Sequence, residues 1–407
     1  MSKAPSVRFE GFTEYWAQQN LGDITNILSA SRVHKDEWKE SGIPFFRSSD
    51  VVSAYKGDNN EKAYISEELY EELIKSSGRL KKDDILITGG GSIGIPYIVP
   101  NNEPLYSKDA DLIWIKQSDF HDSKYLYTYF FSTGFRKYIR SISHTGTIAH
   151  YTIEQVKETP VSLPSIIEQK AIGCFFDRID KLITLYQLKY EKLVNTKKSL
   201  LYKMFPQNGS KTPEIRFKGF TGDWEQRKLS DCCGQFSTTL NPQDTPDVIF
   251  AEYSMPAFDN GEVPDIVTGS TMNSARKILD KPCLLINKLN VRKRRIWNVE
   301  RPKKNSVSSA EFVPVYSDEI NLGFLKHIVL SDSFTAFLED CSSGSSNSQK
   351  RVTPDVIMSA TFLLPSKSEQ DRIGDFLAMV DNIIDLHYRK LGKLKQIKQA
   401  MLHKMFL

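Results

Sequence analysis

The chain has 407 residues, and its 54 Lys plus Arg against 50 Asp plus Glu leave a formal charge of +4, which excludes a generally basic, histone-like protein and makes any polyanion binding local. At 40% hydrophobic and 26% charged the composition is globular, and a prior of about 150 residues per domain predicts two or three domains. No run approaches the roughly 18 apolar residues of a membrane helix and the start lacks the apolar core of a secretory signal, so a cytoplasmic protein is expected. Five cysteines with no C-x-x-C pair encode neither a disulfide framework nor a zinc knuckle.

The first legible element is Val7-Arg-Phe-Glu-Gly-Phe-Thr, followed by Trp16, Gln18, Leu21 and Asp23. Candidate strands follow at residues 42–47, 84–88, 97–99 and 112–116, with a helix near 123–132, so this stretch reads as a mixed α/β domain. Between the second and third of these strands, Gly89 to Gly94 matches G-x-G-x-x-G. A dinucleotide fingerprint needs a helix to open within the glycines, yet Pro96 to Pro100 continues as extended chain. A glycine-rich hairpin through Gly90, Gly91 and Ser92, able to let backbone approach a ligand closely, is the better reading. Arg136, Lys137 and Arg140, with Lys75, Arg79, Lys81 and Lys82, form weak basic clusters, and a polar turn holding Thr145 and Thr147 precedes Leu163-Pro164. A long segment then carries apolar residues at alternating spacings of four and three, the coiled-coil period: Ile172, Phe176, Ile179, Ile183 and onward to Met204. It holds no internal proline, and its roughly 40 residues would make a rod near 60 Å long.

After Pro206 the pattern starts again. Ile215-Arg-Phe-Lys-Gly-Phe-Thr, Trp224, Gln226, Leu229 and Asp231 repeat the opening at an offset of 208. Candidate strands at 246–251, 282–288, 296–299 and 312–316 repeat the mixed α/β order with different loops. Leu364-Pro-Ser, Glu369-Gln370, Ile373-Gly374 and Lys404-Met-Phe repeat Leu163-Pro-Ser, Glu168-Gln169, Ile172-Gly173 and Lys203-Met-Phe at an offset of 201. The second long seam, Ile373, Leu377, Val380, Ile384 and onward, keeps the register of the first. The chain is two copies of one unit. The expected division is 1–164 and 207–365 as variable domains and 165–206 and 366–407 as long helices, paired antiparallel through their seams.

Partitioned by these boundaries, the four segments carry net charges of −3, +4, 0 and +3 in chain order. Within the neutral second domain, residues 281–304 hold nine basic side chains and one acidic. This strip, Lys288, Arg292, Lys293, Arg294 and Arg295 beside Trp297, then Lys303 and Lys304, suits a DNA groove: Arg forks guanine or clamps phosphate and a neighbouring aromatic stacks or wedges. Ser345 and Asn347, in the polar turn before Leu364-Pro365, add small hydrogen-bonding groups. Walker, G-x-S-x-G, H-E-x-x-H, nuclease P-D…E-x-K and adenine-methyltransferase N-P-P-[YF] motifs are not found. No catalytic, cofactor or metal residue is therefore assigned.

With its R-F-x-G-F-T…W openings and two L-P-x-x-x-E-Q-x-x-I-G boundaries, each leading to a helix that ends in K-M-F, the chain resembles, over essentially its whole length, the DNA specificity subunit of type I restriction-modification systems. The resemblance implies two target recognition domains that each read one half of a bipartite asymmetric site in double-stranded DNA, with an antiparallel coiled coil as spacer. It implies a non-catalytic role in docking two modification (methyltransferase) subunits and the restriction subunits, with S-adenosylmethionine, ATP and Mg expected only on those partners, and no membrane. It assigns no individual base-reading residues. A coiled-coil scaffold with two protein-binding domains is the alternative.

Overall fold

The computed structural model describes residues 4–107, 112–142, 150–207, 209–344, 346 and 348–406. The chain divides into two compact units, residues 1–188 with 388–407 and residues 189–387, so each unit takes one variable domain and part of both long helices. No helix among the described residues is long and apolar enough to cross a membrane.

Each unit closes a variable domain by joining its ends. In the first, Ala17–Asn20 pairs antiparallel with Pro160–Leu163; in the second, Glu225–Lys228 pairs with Thr361–Leu364. The two repeated motifs are thus strand partners across about 140 intervening residues, which explains why they recur while the sequence between them does not. In the first unit that intervening chain forms a four-stranded sheet around Ile85–Thr88 and Leu112–Ile115 and a three-stranded sheet around Ile43–Phe46. In the second it forms a four-stranded sheet around Cys283–Asn287 and Phe312–Tyr316 and a five-stranded sheet through Ile249–Tyr253. The predicted strands and the helix Ser123–Tyr129 are present. The helices Ser48–Lys56 and Glu67–Ser77, rich in Ser and Glu with weak apolar stripes, are additions to the sequence reading.

A buried ion pair fastens the opening to the long helix. Arg8 donates through Nε and Nη2 to both carboxylate oxygens of Glu168 at 2.6 and 2.7 Å, and Arg216 holds Glu369 in the same bidentate manner at 2.6 and 2.7 Å. Each glutamate side chain is 1% exposed. The neighbouring glutamines complete the joint. Gln169 Oε1 accepts the Asp122 amide at 2.9 Å while its Nε2 donates to the Pro164 carbonyl at 3.0 Å; Gln370 repeats this with the Asn321 amide and the Pro365 carbonyl. Asp122 and Asn321 in turn cap the helices Ser123–Tyr129 and Leu322–Val329. Gly173 and Gly374 lie against these caps, where a Cβ would come within 2.7 and 2.6 Å of the capping side-chain oxygens. The repeated Glu, Gln and Gly of E-Q-x-x-I-G thereby each have a contact that requires them.

The long helices run Ile166–Met204 and Lys367–Lys404. Within the first unit their portions run antiparallel, with Asp180 paired to Lys398 and Lys390 over the Tyr186 ring; within the second, Lys197 pairs with Asp381. The seam assignment needs one correction. Ile172 and Phe176 pack into the core of the first variable domain, and Ile373 and Leu377 into that of the second, because the first turns of each helix lie against their own domain; Ile179 and Val380 are also buried, and only from Ile183 and Ile384 does exposure rise. The helix ends are apolar anchors. Phe406 sits 5.4 Å from Tyr125 and 6.4 Å from Trp16, and Phe205 lies 5.5 Å from Phe324 and 6.0 Å from Trp224.

Removing one partner of a buried, bidentate pair strands the other charge, so Glu168→Ala should cost about 3–5 kcal/mol, while the double change Arg8→Met/Glu168→Met should recover much of that loss. Denaturant melts of the single and double variants check it. Acidification gives a second signature. His121 and His327 are buried, and burial pushes each imidazole down to about 4, with the Lys197 ammonium adding to the effect at His327. Their unfolded forms take up protons below about pH 6.5, so each should withdraw up to about 1.4 kcal/mol of stability per pH unit between 6.5 and 4. The His121→Asn variant should show a shallower loss of melting temperature over that window.

Candidate nucleic-acid interface

In both units the central strand of the four-stranded sheet leads into a hairpin, and the hairpin is held against the segment that precedes the L-P boundary. Residues 89–95 link Ile85–Thr88 to Pro96–Ile98, and Tyr151 donates its amide to the Gly89 carbonyl at 2.8 Å. Residues 288–295 link Cys283–Asn287 to Ile296–Val299. There Val352 donates to the Lys288 carbonyl at 3.1 Å and Asn290 to the Lys350 carbonyl at 2.9 Å. The glycine hairpin and Tyr151, and the basic hairpin and residues 350–352, are therefore neighbours.

The two hairpins reach similar tight geometry with different chemistry. Gly91 and Gly94 have φ of 67° and 71°; in the second unit the left-handed positions are Asn290 at 51° and Arg294 at 45°. Glycine adopts such angles freely, whereas at Arg294 they carry backbone strain of the kind that clusters at binding sites. The glycine hairpin opens no helix; Gly90 is buried, and Gly91 and Ser92 are exposed at its tip. Arg136 needs correction as a ligand-facing residue. It is half-buried, packs 5.5 and 5.6 Å from the Phe131 and Phe135 rings, and donates to the Ile93 and Gly94 carbonyls, so it braces the hairpin from beneath. Lys137 and Arg140, on the same helix Thr133–Ile142, are exposed. Thr145, Thr147, Ser345 and Asn347 lie outside the described residues.

The basic strip of the second unit is not one patch. Cys283 pairs with Val299 and Ile286 with Ile296, so Lys288 to Arg295 lie at one end of that ladder and Lys303 and Lys304 beyond the other. Four residues at about 3.3 Å each separate them. Arg295 is 7% exposed and forks Asp259 at 2.7 and 2.6 Å. Trp297 is 5% exposed, 4.7 Å from the Tyr253 ring and 5.7 Å from Phe258. Contrary to the sequence expectation, the one is a structural ion pair, and the other is a core side chain whose ring no base can reach without opening the sheet packing. Arg292 contacts Glu339 at 2.7 Å and Arg294 contacts Asp332 at 2.6 Å, but these pairs are exposed, and such pairs are worth about 0–1 kcal/mol, so either guanidinium can exchange its carboxylate for a stronger anion. Lys293 is exposed and Lys288 partly so. Sequence reading passed over Lys277 and Arg351, which flank the same end of the domain. Lys277 sits on a three-residue strand too short to show a period, and Arg351 lies behind a serine-rich turn.

Residues 13–195 match the family described as the type I restriction modification DNA specificity domain. Over 164 residues the chain is 29% identical to a putative type I restriction enzyme specificity subunit of Haemophilus influenzae, and over 191 residues 23% identical to the HindI specificity subunit of the same organism. These matches span 40% and 46% of the chain, and 40% and 41% of the length of the two relatives. In fold, the whole chain is similar to the S subunit of a type I restriction-modification system from M. genitalium, with a TM-score of 0.63 at 14% identity over 100% of this chain and 99% of that one. Residues 13–195 thus match the type I restriction modification DNA specificity domain, and the fold of the whole chain is that of the M. genitalium S subunit.

Proposed function

We propose that this chain is a non-catalytic, cytoplasmic subunit that reads a bipartite asymmetric target in double-stranded DNA, one half-site for each unit, and docks two modification subunits and the restriction subunits. The observation that carries this reading is the pair of hairpins at equivalent positions, one built of glycine and serine near Lys137 and Arg140, the other of Lys288, Arg292, Lys293 and Arg294. Equivalent placement supplies two reading heads, and unlike chemistry lets their half-sites differ. The long helices are the proposed spacer and dock. S-adenosylmethionine, ATP and Mg belong, in this proposal, to the partner subunits. The small net charge is compatible with it, since those partners would supply much of the grip on phosphate.

Replacing residues 25–160 with the corresponding domain of another family member should change one half of the methylated target and leave the other intact. Methylome sequencing checks this, and both halves changing overturns the two-head reading. In the assembled complex, Arg292→Ala and Arg294→Ala should each lower the slope of log affinity against log salt by about 0.9 if they hold phosphate, or relax one base position if they fork guanine. Filter binding across a salt series separates these outcomes, and a protein-binding scaffold would show no salt-dependent affinity for duplex DNA.

A further inference from the structure

Five arginines around the second sheet pair of the second unit are held by carboxylates, while two lysines there lie close to one another. Arg276, Arg292, Arg294, Arg295 and Arg351 each rest on a carboxylate, at 2.6 to 2.8 Å. Lys277 lies directly opposite Ser308 in the five-stranded sheet. Lys288 leaves the central strand of the four-stranded sheet, its amide donating to the Glu311 carbonyl at 2.8 Å. The two lysines therefore flank one short segment, Ser308 to Glu311, from different sheets. Both are partly buried, and among the described residues neither forms an ion pair. Burial, and then the facing Lys288 ammonium, hold the Lys277 pKa below the usual lysine value.

The surroundings are polar. Ser308 Oγ, Ser309 Oγ and Glu311 Oε2 are buried without a hydrogen-bond partner, so the lysine stems are not simply spread over apolar surface. Glu311 spends its other oxygen on Arg351 at 2.8 Å, which ties this cleft to the hairpin through the Leu289–Arg351 bridge. Two half-buried ammonium groups that repel each other cost the fold stability, and an anion placed between them reverses the sign of that interaction.

We infer that Lys277 and Lys288 clamp a backbone phosphate of the DNA strand met by the 288–295 hairpin. The inference rests on the DNA-reading proposal above and adds to it a contact that fixes position without reading sequence. Lysine is a compact point charge without the planar fork that reads guanine, so phosphate is the matching group.

The test uses the specificity chain assembled with its modification subunits and duplexes of target and scrambled sequence. Lys277→Gln and Lys288→Gln should each reduce the salt slope by about 0.9, weaken both duplexes by a similar several-fold factor, and leave the methylated motif unchanged, while Lys277→Arg keeps the wild-type slope. Lys277→Gln should melt at or above the wild-type temperature, because it removes a repulsion; a marked drop would identify a structural lysine and overturn the inference. An unchanged slope in both Gln variants, or a motif relaxed at one base, overturns it as well. So does inorganic phosphate stabilising the free chain in a Lys277-dependent way while the duplex slope stays unchanged, which would assign the cleft to a free anion. Wild-type complex with no salt-dependent duplex affinity would instead sink the DNA reading itself.

Discussion

The bidentate pairs Arg8–Glu168 and Arg216–Glu369 are the constraint around which each unit is arranged. A carboxylate withdrawn from water is tolerated only when its charge is met and its oxygens are hydrogen-bonded, and here one guanidinium from the opening motif meets both needs. The consequence is geometric. The opening segment must come back to the first turn of the long helix whatever lies between, so the variable domain is clamped at its base, while the hairpins lie outside the clamp.

That arrangement separates what must stay constant from what can change. The base of each unit is held by the ion pair, the Gln169 and Gln370 hydrogen bonds and the aromatic anchors Phe406 against Trp16 and Phe205 against Trp224. The hairpins need only an antiparallel return and a carbonyl contact from the segment before the boundary. Glycine meets the backbone demand in one unit; Asn290 and Arg294 meet it in the other at the cost of positive φ. A unit whose base is fixed and whose hairpins lie outside the clamp can change the chemistry of those hairpins without refolding.

Charge follows the same division. The net of +4 is small, and most arginines of the second unit are already engaged with carboxylates. Their availability differs by burial. Arg295 is a fixed strut, Arg292 and Arg294 hold exposed partners they can release, and Lys277 and Lys288 form no ion pair among the described residues. Counting basic residues along the chain overstates the strip at Arg295 and understates the cleft at Lys277.

Repetition and period are linear properties, and so the sequence by itself determined the two copies, both long helices, the L-P boundaries and the central strands. Apolar spacing and duplicated letters survive any arrangement in space. It also marked Glu168-Gln169 and Glu369-Gln370 as special, though not why, since their partners Arg8 and Arg216 lie 160 and 153 residues away. Only the tertiary structure decided which basic and aromatic side chains are free to meet a ligand. Trp297 reads as a surface wedge until the second sheet covers it, and Arg295 reads as a free cation until Asp259, 36 residues earlier, reaches it. Lys277 gains interest only when a strand from another sheet brings Lys288 beside it. Burial and ion pairing are set by neighbours distant in the chain, and no local window of sequence contains them.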